Sequence, residues 1–118
     1  MPKRTLSLAK AYTLLEPGPV VLITTAHKGR RNVMTLSWHC MMEFEPPLVG
    51  FVMSGGNDSF ALLKGSRECV INIPTVEIAR QVVAVGNCHG GEIDKFAEFG
   101  LTAKPAAVVE APLIAECY

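Results

Sequence analysis

The stretch from Pro19 to Trp38, PVVLITTAHKGRRNVMTLSW, decides the fold. Its first part, Val20–Ala26, is a continuous run of β-branched and other apolar residues, the pattern of a strand that is buried on both faces. A polar turn around Gly29 follows, and the next apolar run, Asn32–Phe44, is predicted to form one long strand. Two strands separated by a short glycine-containing turn predict an antiparallel hairpin.

Further strands and short helices are predicted on the C-terminal side of this hairpin. Leu48–Met53 follows a proline break, and Cys69–Ile73 is ended by Pro74. The predicted helices are Leu6–Leu15, Ser59–Lys64 between an Asp58 cap and Gly65, Thr75–Val83 with Thr75 as its cap, and Asp94–Phe99. Strands joined by hairpins, with short helices between them, are typical of a mainly β protein built as an antiparallel barrel.

The length of 118 residues fits one domain, residues 1–118, without internal repeats. The sequence ends at Ala115–Tyr118 without a charged tail or cap, as though a strand had just begun. Because three or four strands leave unpaired edges in a barrel, we expect either that partner chains complete it or that the C-terminal part of the domain is missing here.

Composition excludes several classes of partner. Eleven basic residues balance eleven acidic ones, so the formal net charge is zero. The charge therefore does not predict binding to nucleic acid or to an anionic membrane. No apolar run approaches the roughly 20 residues needed to cross a bilayer, and Lys10 interrupts the N-terminal segment where a signal peptide would be apolar. A cytoplasmic location is therefore expected, with the four separated cysteines reduced rather than bridged.

The first candidate site lies on the second strand of the hairpin. Alternation along a strand divides this segment into two faces, one with Asn32, Met34, Leu36 and Trp38 and the other with Val33, Thr35 and Ser37. The hydroxyls of Thr35 and Ser37 then form a row beside backbone groups, which suits a flat polar ring or a phosphate. The same pattern also fits ordinary strand residues with Trp38 in the core.

The second candidate is the loop Ser54–Ser59, which contains two adjacent glycines. Glycines let backbone amides approach an anion, and the following helix N-terminus presents free N–H groups. Ser54, Asn57 and Ser59 add side-chain donors, whereas Asp58 brings a negative charge that opposes a phosphate. The loop lacks the spacing of a P-loop, and a plain turn fits it as well.

No metal site and no catalytic pair is expected. His39–Cys40 and Cys88–His89 are adjacent pairs without the spacing of zinc ligands. A cysteine nucleophile needs an oriented base, and nothing in the sequence places one beside a thiol. The cysteines are better read as small apolar residues.

Several motifs, in the same order along the chain, resemble the flavin reductase and flavoredoxin family. Each motif is short, but the ordered set covers nearly the whole chain. The matching segments are Pro19–Thr25, Asn32–Trp38, Pro46–Val49, the strand Cys69–Pro74, the D-K-F-x-x-x-G-L segment Asp94–Leu101 and the A-P-x-I-x-E-C segment Ala111–Cys117.

This resemblance implies a split β-barrel that binds FMN non-covalently, with the flavin near the interface of a homodimer. Thr35 and Ser37 would donate to the ring or the phosphate, and the loop after the third predicted strand would hold the phosphate. Relatives often have a basic residue in that loop, where this chain has Asn57–Asp58. The cofactor-binding residues implied are Asn32, Met34, Thr35, Leu36, Ser37, Trp38, Ser54, Asn57, Ser59 and Lys95.

The implied activity is that of a flavin-dependent oxidoreductase, in which the chemistry belongs to the flavin. Two versions are open: a flavoredoxin-like electron carrier with a redox partner protein, or an NADH- or NADPH-using flavin reductase. In the second branch a G-D-H-like segment near the C-terminus helps to bind the nicotinamide, and this sequence ends before that region. The alternatives are a non-catalytic barrel that binds another planar or phosphate-bearing ligand, and a fragment that cannot close its barrel.

Overall fold

The computed structural model describes Thr5, Ser7, Ala9, Lys10 and residues 18–118. The helix predicted for residues 6–15 falls largely outside the described residues. The strands are β1 (Val21–His27), β2 (Arg30–Leu36), β3 (His39–Glu43), β4 (Leu48–Phe51), β5 (Val70–Asn72), β6 (Ala103–Lys104) and β7 (Leu113–Ile114). The helices are α1 (Asp58–Ser66), α2 (Ala79–Gly86) and α3 (Lys95–Glu98), and a 3₁₀ turn over Val76–Ile78 leads into α2.

The predicted hairpin is confirmed. β1 and β2 pair antiparallel from Val21 opposite Leu36 to His27 opposite Arg30. The two connecting residues, Lys28 and Gly29, both have positive φ, of 51° and 77°. Such a two-residue turn matches the right-handed twist of the strands that it joins. β5 pairs with the other edge of β1, which makes β1 the middle strand of the sheet β2-β1-β5.

The prediction that the second strand of the hairpin runs unbroken from Asn32 to Phe44 is wrong, because the chain bends at Ser37 and Trp38. β2 ends at Leu36, and β3 starts at His39 in a separate two-stranded sheet with β4. The bend has its own backbone hydrogen bond, from the His39 N–H to the Ser37 oxygen at 3.0 Å. Apolar residues continue through the bend, so their pattern does not reveal it.

β1 is buried on both faces, as its composition predicts, and each face packs against a separate apolar cluster. One cluster joins the sheet to α2, α3 and β7 and consists of Leu22, Val33, Ile78, Val82, Val85, Phe96, Leu101 and Ile114. The other consists of Val21, Ile23, Met34 and Leu36, with Phe51, Met53 and Cys69 packed against it. Burial on both sides fixes the register of β2 against β1, because a slip by one residue would exchange the faces.

The side chain of Asn72 ties three parts of the fold together. It is buried at the end of β5, and its Nδ2 donates to the Leu22 carbonyl oxygen at 3.2 Å. Its Oδ1 accepts from the Ile114 N–H at 2.9 Å. Both ends of one amide are therefore satisfied by backbone groups of β1 and β7, which lie far apart in the sequence.

The termini of two predicted helices differ from expectation. The N-cap of α1 is Asn57 rather than Asp58, because the Asn57 Oδ1 accepts from the Ser59 N–H at 2.9 Å. The helix also runs past Gly65 and ends at Ser66, followed by Arg67 in the left-handed conformation.

Gly65 has a packing role instead of a stopping role. A Cβ at this position would lie 2.5 Å from Cδ2 of His27, so the absence of a side chain lets α1 approach β1.

The helical segment after β5 is also longer than predicted. Thr75 makes no side-chain cap bond, and the helix continues past Val83 to Gly86. The predicted cap of α3 is confirmed, since Oδ1 of Asp94 accepts from the Phe96 N–H at 3.0 Å.

We expect Asn72→Ala to lower the free energy of unfolding by about 2–4 kcal/mol, because it removes the buried hydrogen bonds to Leu22 and Thr24 and leaves the Ile114 N–H without its acceptor. The matched control is Asn87→Ala, which removes an exposed amide that donates to the Val83 carbonyl oxygen at 2.9 Å. This control should change stability by no more than about 0.5 kcal/mol. Urea unfolding followed by circular dichroism measures the free energy of unfolding of both variants. If the two variants lose equal amounts of stability, Asn72 does not link β1 to β7 as inferred.

Candidate functional site

A cavity of about 330 Å³ lies where β2, the loop before α1, the end of α2 and the start of α3 meet. This volume is at the lower end of the range for small-molecule sites. The residues that line it are Met34, Thr35, Ser54, Gly56, Asn57, Asp58, Val85, Gly86, Cys88, His89 and Lys95. Five of the ten predicted binding residues are therefore brought together here: Met34, Thr35, Ser54, Asn57 and Lys95.

Thr35 forms part of the wall contributed by β2. Its hydroxyl donates to the Val82 carbonyl oxygen at 2.5 Å, which fastens the strand to α2. Gly86 allows this close approach, since a Cβ there would lie 3.3 Å from the Thr35 Cβ. The resemblance implied that the Thr35 hydroxyl donates to a flavin. In this structure it donates to the protein backbone instead, so its oxygen would act as an acceptor toward a ligand.

The loop before α1 holds its own polar groups in a compact turn. The Asn57 N–H donates to the Ser54 carbonyl oxygen at 3.0 Å, and the Gly56 N–H donates to the Ser54 Oγ at 3.4 Å. The Asn57 side chain caps α1 through Ser59. The Ser59 and Phe60 N–H groups are therefore occupied by Asn57, and the positive end of the dipole of this nine-residue helix is what favours an anion at the loop.

Lys95 supplies a buried cation on the opposite wall. Its side chain is only 5% exposed, and Nζ donates to the Val85 carbonyl oxygen at 2.9 Å. Burial lowers the pKa of Lys95 from its ordinary value, while the nearby Asp58 carboxylate and the Cys88 sulfur act to raise it. An ammonium has three donors, and within residues 18–118 the Val85 carbonyl is the one hydrogen-bond partner found for it. Donors are therefore left for a ligand.

The side chains of Asp58 and His89 face each other at the cavity. The distance from His89 Nδ1 to Asp58 Oδ2 is 3.7 Å, and the imidazole is 73% exposed whereas the carboxylate is 33% exposed. Gly91 lies close behind, since a Cβ there would be 3.3 Å from the Asp58 Oδ1. Neither residue was among the predicted binding residues: Asp58 was expected to cap a helix and to oppose a phosphate in the loop, and His89 was weighed only as half of a metal pair.

Asn32 and Ser59 are buried and do not line the cavity. The Asn32 Nδ2 donates to the Ser59 Oγ at 3.0 Å, which joins β2 to α1 beside the site. Gly90 passes so close to the Asn32 amide that a Cβ at that position would overlap it. These two predicted binding residues therefore hold the walls of the cavity in place.

The other three predicted residues lie away from the cavity. Leu36 belongs to the apolar cluster on one face of β1. Ser37 and Trp38 form the bend between β2 and β3, where the Trp38 side chain is 40% exposed. The prediction of one continuous strand placed Ser37 and Trp38 on the same strand faces as Thr35 and Met34. The bend directs the chain away from these faces.

Two further features are absent from the part of the chain that the structure describes. No three His, Cys, Asp or Glu side chains converge there as a metal site would require. In the same ranges, no helix combines the length and the apolar character needed to cross a bilayer.

The architecture is that of the split barrel found in FMN-binding proteins. The flavoredoxin of Desulfovibrio vulgaris (Miyazaki F) superposes with a TM-score of 0.85 at 27% identity, over 98% of this chain and 62% of that one. An FMN-binding domain of a flavin reductase-like enzyme from Shewanella baltica gives 0.81 at 30% identity, over 97% and 60%. A flavin reductase-like protein with a split-barrel domain from Shewanella frigidimarina, at 19% identity and 0.80, shows the same fold.

The family follows from the sequence match. Residues 14–118 match the model of the flavin reductase like domain, and the chain belongs to that family. The uncharacterized protein YddH of Escherichia coli (strain K12) is 34% identical over 113 residues, which cover 94% of this chain and 60% of YddH. The chain thus spans about 60% of the length of these relatives.

We expect Gly90→Ala to lower the free energy of unfolding by about 1–3 kcal/mol, because its methyl group would displace the Asn32 amide from Ser59. Gly55→Ala is the matched control, since a Cβ at Gly55 meets nothing within 4 Å. Thermal unfolding of the two variants gives the comparison. Equal midpoints would show that the close approach of Gly90 to Asn32 does not constrain the site.

Proposed function

We propose that residues 1–118 form a single FMN-binding domain that transfers electrons or hydride through a non-covalently held flavin. Membership of the flavin reductase-like family supports a flavin-binding redox function in general. The observation that carries the assignment to this chain is the cavity beside Lys95, where a buried ammonium group lies opposite a glycine-containing loop and a helix N-terminus.

The residues of the cavity fit the two parts of FMN. Met34 provides an apolar contact for a flat ring, and Thr35 adds an acceptor beside it. Lys95 and the first turn of α1 provide positive potential for a phosphate. The Asp58 carboxylate repels a phosphate, so attraction and repulsion oppose each other on this side of the cavity.

The roles proposed for the predicted residues divide into contact and support. Met34, Thr35, Ser54, Asn57 and Lys95 would contact the cofactor. Asn32 and Ser59 would position β2 and α1 around it through their mutual hydrogen bond. The contacts implied for Leu36, Ser37 and Trp38 remain part of the proposal, although these residues lie outside the cavity.

Bound FMN would supply the redox chemistry at its ring. The chain would bind the flavin, orient it and limit its exposure to water, so no side-chain acid or base is required. We propose either an electron carrier with a protein partner or a reductase that uses NADH or NADPH, in the cytoplasm. Titration with FMN, followed by addition of NADH or NADPH, distinguishes the electron carrier from the reductase, because only a reductase would bleach the bound flavin rapidly.

We expect FMN to bind saturably, at micromolar concentration or tighter, and Lys95→Met to weaken binding by about 10- to 100-fold through loss of a charge-assisted hydrogen bond. Lys95→Arg, which keeps the charge, should lose less. Lys64→Met is the control, because Lys64 is an exposed cation in the last turn of α1. Flavin fluorescence gives the dissociation constants. If the Lys95 and Lys64 variants bind equally well, the ammonium group does not hold the cofactor.

A binding module without redox activity is the second candidate, and Asp58 is the observation that favours it. A carboxylate in the cavity suits a planar ligand without a phosphate better than it suits FMN. Purified protein that stays colourless and does not quench FMN fluorescence would support this candidate and overturn the flavin assignment.

We also propose that the domain forms a homodimer, as the family resemblance implies. The hairpin of β3 and β4 exposes large apolar side chains: Met41 (58% exposed), Met42 (68%), Phe44 (88%) and Leu48 (50%). Contiguous exposed apolar surface on this scale is typical of an interface.

Phe44→Asp is expected to shift the protein from dimer to monomer in analytical ultracentrifugation, because it places a charge in the apolar hairpin surface. Val108→Asp is the control, since Val108 is 89% exposed but belongs to a different segment. A wild-type protein that sediments as a monomer at all concentrations would contradict the dimer.

A further inference from the structure

The charges around the cavity leave one residue without a role in the proposed function. The titratable groups in its wall are Asp58 on α1, Lys95 on α3, and Cys88 and His89 in the loop between α2 and α3. Lys95 is held by the Val85 carbonyl, whereas His89 is largely exposed and is therefore the cation with more freedom to move.

The contact between His89 and Asp58 is loose. Its length of 3.7 Å exceeds that of a hydrogen bond, so the pair gains charge attraction without a directed bond. Only Nδ1 faces the carboxylate. The other ring nitrogen, Nε2, has no hydrogen-bond partner within residues 18–118 and is available for a ligand.

The backbone around His89 is held, whereas its ring is largely exposed. The Glu92 N–H donates to the His89 carbonyl oxygen at 3.2 Å, which closes a turn, and Gly91 of this turn lies close to the Asp58 carboxylate on α1. The ring can therefore change partner without movement of the loop.

We propose that His89 selects for the phosphate of the ligand. With no phosphate present, its ring pairs with Asp58, and when a flavin monophosphate binds, the protonated ring contacts the phosphate instead. This inference rests on the proposed flavin site and deepens it. His89, in the loop between α2 and α3, would offset the charge of the Asp58 carboxylate when a phosphate is bound. A flavin without a phosphate would gain nothing from this change of partner.

Replacing His89 removes one possible phosphate contact and leaves the rest of the cavity wall in place. The other titratable side chains in that wall are Asp58, Lys95 and Cys88, and a His89 variant retains all of them. A loss of preference for the phosphorylated ligand in that variant is therefore assigned to the His89 ring.

The test compares dissociation constants of FMN and riboflavin for the full chain, His89→Gln and Asp58→Asn at about pH 6. The preference of the wild-type chain for FMN over riboflavin should be about fivefold greater than that of His89→Gln, a factor in the range of exposed charge pairs. Asp58→Asn should strengthen FMN binding without changing riboflavin binding.

The outcomes separate this inference from the proposed function. Equal weakening of FMN and riboflavin by His89→Gln would show that His89 does not recognise the phosphate, and would leave the flavin site intact. Failure of the wild-type chain to bind either flavin would overturn both. Thermal unfolding midpoints for His89→Gln should match the wild type, since this side chain is 73% exposed.

Discussion

The burial of β1 on both faces is the constraint on which the rest of this structure depends. Residues from Val21 to Thr25 have no solvent-facing side, so the strand must find apolar partners above and below the sheet. α2, α3 and β7 cover one face, and the residues around β4 cover the other. Because a slip of register by one residue would exchange these faces, β2 is fixed beside β1, and Met34 and Thr35 are fixed at the cavity.

Buried polar side chains then join the elements that the apolar clusters bring together. Asn72 links β1 to β7, Asn32 links β2 to α1, and Lys95 links α3 to the end of α2. Each of these bonds joins segments that are separate in the sequence, and each lies at or beside the cavity or the central sheet. A buried polar group costs free energy unless it is paired, so these three side chains specify how the elements meet.

The electrostatics of the cavity are local. The chain has no net charge, and no field of the whole protein would collect an anionic ligand. What attracts an anion is the buried ammonium of Lys95 and the first turn of α1, and what repels it is the carboxylate of Asp58. The balance between these groups sets the local potential of the cavity.

The sequence by itself determined the hairpin of β1 and β2, the cap of α3 at Asp94 and the order of the family motifs. These features depend on residues within a few positions of one another, where backbone preference and alternation act directly.

The sequence did not determine the choice of Asn57 over Asp58 as the cap of α1, since adjacent residues with the same capping preference compete. Nor did it reveal the bend at Ser37 and Trp38, because apolar residues continue through it. The tertiary structure alone decided which side chains meet at the cavity and beside it. It brought His89 to Asp58 at the cavity and buried Asn32 against Ser59 beside it, pairs that lie 31 and 27 positions apart. Packing on both faces of β1 places the elements that carry these side chains next to one another.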